Sequence, residues 1–356
     1  MRILPVSEPI VSVYPKHSIP LSVLCNHEQT LDWLLSQYIQ IKVHKNYITS
    51  LPTDWCDFYT IDPRFSTSPW LHSECVTRSS IMSWSENDPI SFFIKCIDLG
   101  MYISTRVDEF YINNTKANLN KYYFPHAILV YGYDENNQLF YISGYDINGK
   151  FSKIKVSFAN FEQAFLSLNN SELEFFSEFT HLMTFRENIF NYKLDFNWIY
   201  KQMYDYLNCE NTSLRFGGLI NTKLEDFYYG LQVYDKVMDY YEINNNTIDH
   251  RPLHLIWEHK KLMIVRLKHM ENKQKELKLS DEIMGYYELE QIAQITRNLM
   301  LKINVTKNLV EIKKINNNLE DMKKIKNNLE EMKKKERNIL HLILLKLQPF
   351  INESRD

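Results

Sequence analysis

Ser22-Val23-Leu24-Cys25-Asn26-His27-Glu28-Gln29-Thr30, with apolar residues following at Leu31, Leu34, Leu35 and Tyr38, reads as the start of an amphipathic helix running from Cys25 to about Ile41. About a hundred residues later, His126-Ala127-Ile128-Leu129-Val130-Tyr131-Gly132-Tyr133-Asp134 reads as a strand rich in β-branched and aromatic residues. A thiol at a helix N-terminus lies among unpaired N–H groups and the positive dipole end, both of which favour thiolate. A histidine at the head of a strand then supplies a base, and the combination of helix and hairpin points to an α+β fold.

Outward from that pair the signals are local. Asp88 and Pro89 form a cap and first-turn proline, residues 90–99 are apolar, and Gly100 is placed to end the helix. Residues 101–111 read as a strand, 113–120 as a loop, and 126–133 as the next strand. The turn at residues 134–137 leads into a strand at 139–142, and Gly149 turns the chain into 151–156, completing a small antiparallel sheet. The stretch through Trp55, Trp70 and Trp84 reads as irregular.

From Leu194 onward the spacing is helical, at 198–207, 224–241, 253–270 and 281–303, so two domains are expected: 1–186, and an all-α domain at 187–356. The last segment carries three similar ten-residue units, at 311–320, 321–330 and 331–340. Ten residues fall roughly 80° short of three helical turns, so the stripe of Ile312, Ile315, Leu319, Met322, Ile325 and Leu329 drifts around the helix. Two packings stay open: a long helix on its own domain, or a coiled-coil homodimer through the C-terminal helices.

Composition narrows the function classes. A chain of 356 residues with 44% hydrophobic content can bury two cores, and only eight Gly leave little room for phosphate loops. The net charge of -3 gives no nucleic-acid footprint, and the lysines at 313–335 are offset by acidic neighbours. Cys25, Cys56, Cys75, Cys96 and Cys209 are odd in number and irregularly spaced, which suits reduced thiols. The start Met1-Arg2-Ile3-Leu4-Pro5 lacks a signal-peptide core, and the apolar stretch at 339–347 is too short to span a bilayer, so a cytoplasmic protein without a membrane anchor is expected.

Among the cysteines only Cys25 has the setting of a nucleophile; the plainer reading is a buried structural thiol. His27 lies two residues away on the expected helix and does not face it, which favours His126 as general base and acid. A turn centred between Asn136 and Asn137 puts Ala127 opposite Asp146, so the Asp146 carboxylate is expected to orient the imidazole. Ser143, about 10 Å away along the strand, fits less well. The oxyanion donor is the Cys25 N–H with a side chain such as His17 or Asn26. Separately, His250, His254 and Glu258 share an i, i+4, i+8 spacing, but Pro252 marks a helix start that leaves His250 outside it, and no metal is expected. Arg251, Lys260 and Lys261 form a possible anion contact resting on charge alone.

The Cys25 segment, Cys96-Ile97-Asp98, Val107-Asp108-Glu109-Phe110-Tyr111 and residues 126–134 together resemble the butirosin biosynthesis protein H N-terminal domain family, a papain-like relative of bacteriocin-leader peptidases. The similarity runs from Cys25 to about Leu166, and the helical half, with Tyr229-Gly230-Leu231 and residues 250–261, is similar to the partner domain of members found beside nonribosomal peptide gene clusters. The resemblance implies a papain-like fold and an amide-forming acyltransferase, similar to the cysteine-protease homologue of closthioamide assembly. Cys25 would take an acyl group from the phosphopantetheine thioester of an acyl or peptidyl carrier protein and pass it to a small amine acceptor, with no tightly bound cofactor. The glutamine that papain-like enzymes place before the cysteine is missing here, since Gln29 falls after it. Many relatives carry an aspartate just after the second hairpin strand, where this chain reads Ile142-Ser143-Gly144-Tyr145-Asp146. Either Asp146 fills that place through a shifted loop or the triad is incomplete. A cysteine peptidase and a non-catalytic binding or scaffold protein remain as alternatives.

Overall fold

The chain begins with a short strand, β1 (Arg2–Ile3), and Pro15 opens α1 (Pro15–Leu24) in its first turn, where a missing N–H costs nothing. Cys25 caps the far end of this helix: its N–H donates to Leu21 O at 2.9 Å, and His27 N–H closes on Leu24 O. A 3₁₀ turn then leads into α2 (Leu31–Ser36), which ends before Tyr38 at φ +56°. The expected helix from Cys25 to Ile41 is therefore reduced to α2, and Cys25 closes an earlier helix instead of opening one. The physical reason is burial on all sides: His17 to Leu24 are all buried, so α1 has no polar face and no helical stripe to read.

The structure is a computed structural model that describes residues 1–48, 55–60, 68–170, 178–187, 191–219, 226–243, 249–306 and 312–351. It forms two units, one of Met1–Leu31 with Asp62–Asn191 and the other of Asp32–Ile61 with Tyr192–Asp356. Residues 32–61 thus belong with the C-terminal half, where a linear division at 186 puts them in the first.

After α2 come β2 (Ile41–His44), β3 (Cys56–Phe58), β4 (Leu71–Thr77) and α3 (Arg78–Trp84), in the stretch expected to be irregular. β4 buries little beyond Leu71, so its alternation is faint. Then follow α4 (Pro89–Asp98), β5 (Tyr102–Asp108), α5 (Lys116–Asn120), β6 (Pro125–Asp134), β7 (Leu139–Tyr145), β8 (Phe151–Ser157), α6 (Phe158–Leu166) and β9 (Phe179–Phe185). The cap of α4 is as read: Asp88 accepts from Ser91 N, Pro89 stands in the first turn, and Gly100 takes φ +80° past the end.

In the first unit the antiparallel sheet runs β4-β9-β5-β6-β7-β8, with β1 also on β6. β6 changes partner along its length, pairing residues 125–130 with β5 and Gly132 and Tyr133 with β1. At Gly132 a Cβ would meet Arg2 O at 2.9 Å, so only glycine lets β1 approach. α4 and α6 pack on the sheet through Phe93, Phe140, Phe158, Phe161 and Phe165, with Phe93 and Phe161 rings 4.9 Å apart. Each such buried ring contributes about 1.5–3 kcal/mol.

The second unit adds α7 (Phe196–Asn208), β10 (Phe227–Tyr229), α8 (Gln232–Ile243), α9 (Arg251–Lys273), α10 (Ser280–Thr306) and α11 (Ile312–Leu347). It is not all-helical, because β10-β2-β3 form an antiparallel sheet. β10 is only three residues long, lies in a stretch with helical spacing, and finds its partners some 180 residues upstream. Gly230, at φ +60°, makes the junction: its N–H donates to Ile41 O, and a Cβ there would fall 2.0 Å from Tyr206 O. Of the expected helix at 224–241, residues 224 and 225 lie outside the described residues.

α11 packs on α10, α7 and α8 within its own unit. Its buried positions include Ile325, Leu329, Met332, Glu336, Leu340, Ile343 and Leu347, the ordinary helical period. The ten-residue stripe does drift, since Leu319 is 59% exposed while its counterpart Leu329 is buried. The sixth residue of each repeat unit is Asn316, Lys326 and Glu336 in turn, and Glu336 is a hub. Its carboxylate receives Lys260 Nζ at 2.5 Å and the hydroxyls of Tyr206, Tyr234 and Tyr286 at 3.0, 2.9 and 3.2 Å, all of them buried. Lys260 also donates to His259 Nδ1, whose Nε2–H is thereby directed to Ile39 O at 2.8 Å. Burial, opposed by Glu336, lowers the Lys260 pKa, and burial also holds His259 neutral, far below its usual range.

Glu336→Gln leaves Lys260 without a counter-charge and is expected to cost about 3–5 kcal/mol in urea unfolding followed by helical circular dichroism. Lys260→Met with Glu336→Met is expected to cost far less; equal losses would contradict the ion-pair account.

Candidate active site

β5 and β6 pair with Val107 opposite His126 and Asp108 opposite Pro125. The chain leaves β5 through a 3₁₀ turn at Glu109–Tyr111, and this puts the Glu109 side chain beside the first residues of β6. His126 Nδ1 lies 2.6 Å from Glu109 Oε1. The Glu109 side chain is 5% exposed and that of His126 23%. With Nδ1–H donating to the carboxylate, Nε2 becomes the basic nitrogen of the neutral ring. It has no hydrogen-bond partner among the described residues. Phe124 and Tyr145 flank the imidazole, their ring centroids 5.1 and 5.2 Å from it. Tyr122, Tyr123 and Phe124 are exposed on the approach.

The carboxylate beside His126 is thus Glu109, not Asp146. The β6–β7 register shifts by one residue between Val130 and Gly132, and pairing stops at Leu129 opposite Ser143. Asp146 lies beyond, in the β7–β8 turn, where its oxygens accept from Asn148 N, Lys150 N and Ser152 Oγ at 2.8, 3.0 and 3.0 Å. Its carboxylate is spent on that turn. Ser143 sits in β7 and is buried. The signal for Glu109 was present in the sequence: antiparallel neighbours place the end of one strand, Asp108-Glu109, beside the start of the next, His126.

Cys25 is placed differently from the expectation. Tyr145 Oη donates to Ser12 O at 2.6 Å and lies 3.4 Å from Ser18 Oγ, so the tyrosine beside His126 faces the N-terminal half of α1. Cys25 lies seven residues beyond Ser18, about 10 Å along the axis, and no hydrogen bond joins it to His126 among the described residues. It stands at the negative end of the helix dipole, which disfavours thiolate. Burial pushes the thiol above its ordinary value, only partly offset by a backbone hydrogen bond from Ile10. Cys56, Cys96 and Cys209 are also raised by burial, Cys96 to about 11. His27 stacks on Phe185, with centroids 3.5 Å apart, and burial lowers its pKa. His17 is buried within α1, and Asn26 is exposed past its C-terminal end.

The other constellations are absorbed by their own unit. His254 bonds Glu258 through Nε2 at 3.1 Å and accepts from Arg297 through Nδ1 at 2.7 Å, so both ring nitrogens are engaged, and His250 is the cap of α9. Among the described residues no group of three or more His, Cys, Asp or Glu could hold a metal ion. Arg251 forks onto Asp249, Lys260 is buried on Glu336, and Lys261 lies over the Trp257 ring at 4.5 Å, so the three cations do not converge. Among the described residues no helix is long and apolar enough to cross a membrane.

Compared with protein-family models and with curated proteins, the chain matches none of either.

The placement of Cys25 fixes its reactivity. Alkylation of Cys25, read by peptide mass spectrometry, is expected to accelerate only above the ordinary thiol range of about 8.5 and to follow the same pH curve in His126→Ala. A faster reaction near neutrality that depends on His126 would contradict this geometry.

Proposed function

We propose that the protein is an acyltransferase of papain-like type in which His126, oriented by Glu109, moves the proton while an amine attacks a thioester directly. The observation that carries this reading is the 2.6 Å contact between His126 Nδ1 and the largely buried Glu109 carboxylate, which leaves Nε2 to face a reactant. The resemblance to the butirosin biosynthesis family supports the reaction class. A carrier-protein phosphopantetheine thioester would be the donor and a small primary amine the acceptor.

In this scheme the amine nitrogen adds to the thioester carbonyl as His126 Nε2 takes its proton. The tetrahedral adduct then collapses, the C–S bond breaks, and the proton passes from Nε2 to the departing sulfur, giving an amide and a free carrier thiol. Glu109 stabilises the imidazolium formed on the way and holds its tautomer. No acyl-enzyme on Cys25 is required. Phe124 and Tyr145 give the imidazole apolar ring surface on which the chain of an amine acceptor can rest.

A second reading, a non-catalytic binding or scaffold protein, is favoured by one observation: the Cys25 thiol stands at the helix end that suppresses thiolate. A peptidase acting through Cys25 meets the same obstacle.

The test is amide formation from an acyl N-acetylcysteamine thioester and a primary amine, followed by mass spectrometry. His126→Ala is expected to lower the rate about 100-fold or more, Glu109→Gln to give an intermediate loss, and Cys25→Ala to leave it within about twofold. Loss of activity in Cys25→Ala with His126→Ala unaffected would overturn the mechanism. A wild type that binds the thioester without turnover would favour the scaffold reading.

A further inference from the structure

The contact between Glu109 and His126 spans a long excursion of chain, residues 109–124, and something must hold its neck closed. The sheet alone does not. Pro125, opposite Asp108, has no N–H, so the β5–β6 ladder loses a donor where the two strands part. Asp108 replaces it. Its buried Oδ1 accepts from Phe124 N at 2.9 Å and from Phe110 N at 3.0 Å, one donor on each side of the neck.

Between those two anchors the Glu109 backbone is fixed at both polar groups. Its N–H donates to Phe124 O at 3.0 Å, and its carbonyl accepts from Thr115 Oγ1 at 2.9 Å. Asn118 Nδ2 donates to Phe110 O at 2.6 Å and ties α5 to the same turn. Holding this backbone fixes the point from which the Glu109 side chain starts, within reach of His126, which stands two residues beyond Phe124.

We infer that Asp108 is a positioning residue for this site: by clamping Phe110 N and Phe124 N together it sets the Glu109 carboxylate against His126 Nδ1. The inference rests on the His126–Glu109 reading of the site but concerns its geometry, so it can fail separately. Asp108 reaches no reactant in this arrangement and acts only through the backbone it holds. What the role requires is an acceptor oxygen, not a charge, and asparagine at this position supplies one.

The experiment is proton NMR of the full chain with ¹⁵N-labelled histidine, reading the low-field Nδ1–H resonance that a short histidine–carboxylate hydrogen bond produces. Its absence in His126→Ala assigns it. The signal is expected to persist in Asp108→Asn and to be lost in Asp108→Ala. Asp108→Ser serves where alanine fails to fold: its hydroxyl can accept from Phe110 N two residues on but cannot reach Phe124 N across the neck, so loss is again expected. Asn120→Ala, which removes a hydrogen bond of the same excursion without touching Asp108 or Glu109, is expected to keep the signal.

An unchanged resonance in folded Asp108→Ala or Asp108→Ser overturns the positioning role while leaving the pair intact. A wild type without the resonance at any pH overturns the pair and this inference together. Normal resonances with rates unaffected in His126→Ala overturn only the proposed function.

Discussion

The antiparallel pairing of β5 with β6 sets where Glu109 and His126 can meet. Val107 stands opposite His126, the ladder runs out at Asp108 and Pro125, and the next residue on the β5 side is the one whose carboxylate lies against the imidazole. A one-residue slip of this pairing would send every side chain of β6 to the other face. Ile128 and Val130 would trade faces with Leu129 and Tyr131, all four of them buried and differently shaped, and His126 would turn away from Glu109. Burial of the strand and geometry of the site are therefore enforced by the same register. β6 can sustain it because it is held on both flanks, by β5 and β7, and by β1 at the end where Gly132 allows close approach.

Much of the first unit is written in local chemistry. The Asp88-Pro89 cap, the Gly100 stop, the β6–β7–β8 meander and the turns at Asp134 and Gly149 follow from residues whose preferences act over a few positions. The failures are equally specific. α1 is buried all round, so no stripe marks it and the polar-apolar rhythm after Cys25 was the stronger signal. β4 is a strand with one well-buried residue, and β10 depends on partners far upstream. His126 was legible because a histidine at the head of a strand is a local feature. Its partner comes from the end of β5 and not from the turn after β7, and that choice is decided by which carboxylate the turn has already used.

The two units place charge in opposite ways. In the first, a thiol expected to ionise lies at the wrong end of a helix and partly buried, and both effects hold its proton on. In the second, Lys260 and Glu336 are wholly buried, yet three tyrosine hydroxyls and His259 satisfy the remaining donors and acceptors. Such a network adds little net stability over an apolar core of equal volume, but it penalises every arrangement of α7, α8, α9 and α10 that leaves one member unpaired.

The ten-residue units of α11 have a consequence for how this chain can change in length. Each copy adds about 15 Å of helix and rotates the following residues by roughly 80° relative to a whole number of turns. Gain or loss of a copy within the buried stretch would therefore swing Ile325, Leu329 and Met332 out of step with Leu340, Ile343 and Leu347, whereas Leu319, which already faces solvent, has no seat to lose. The units are thus alike in sequence but not interchangeable in place, since the helix is seated from Ile325 onward and a change of count there moves every seated residue together.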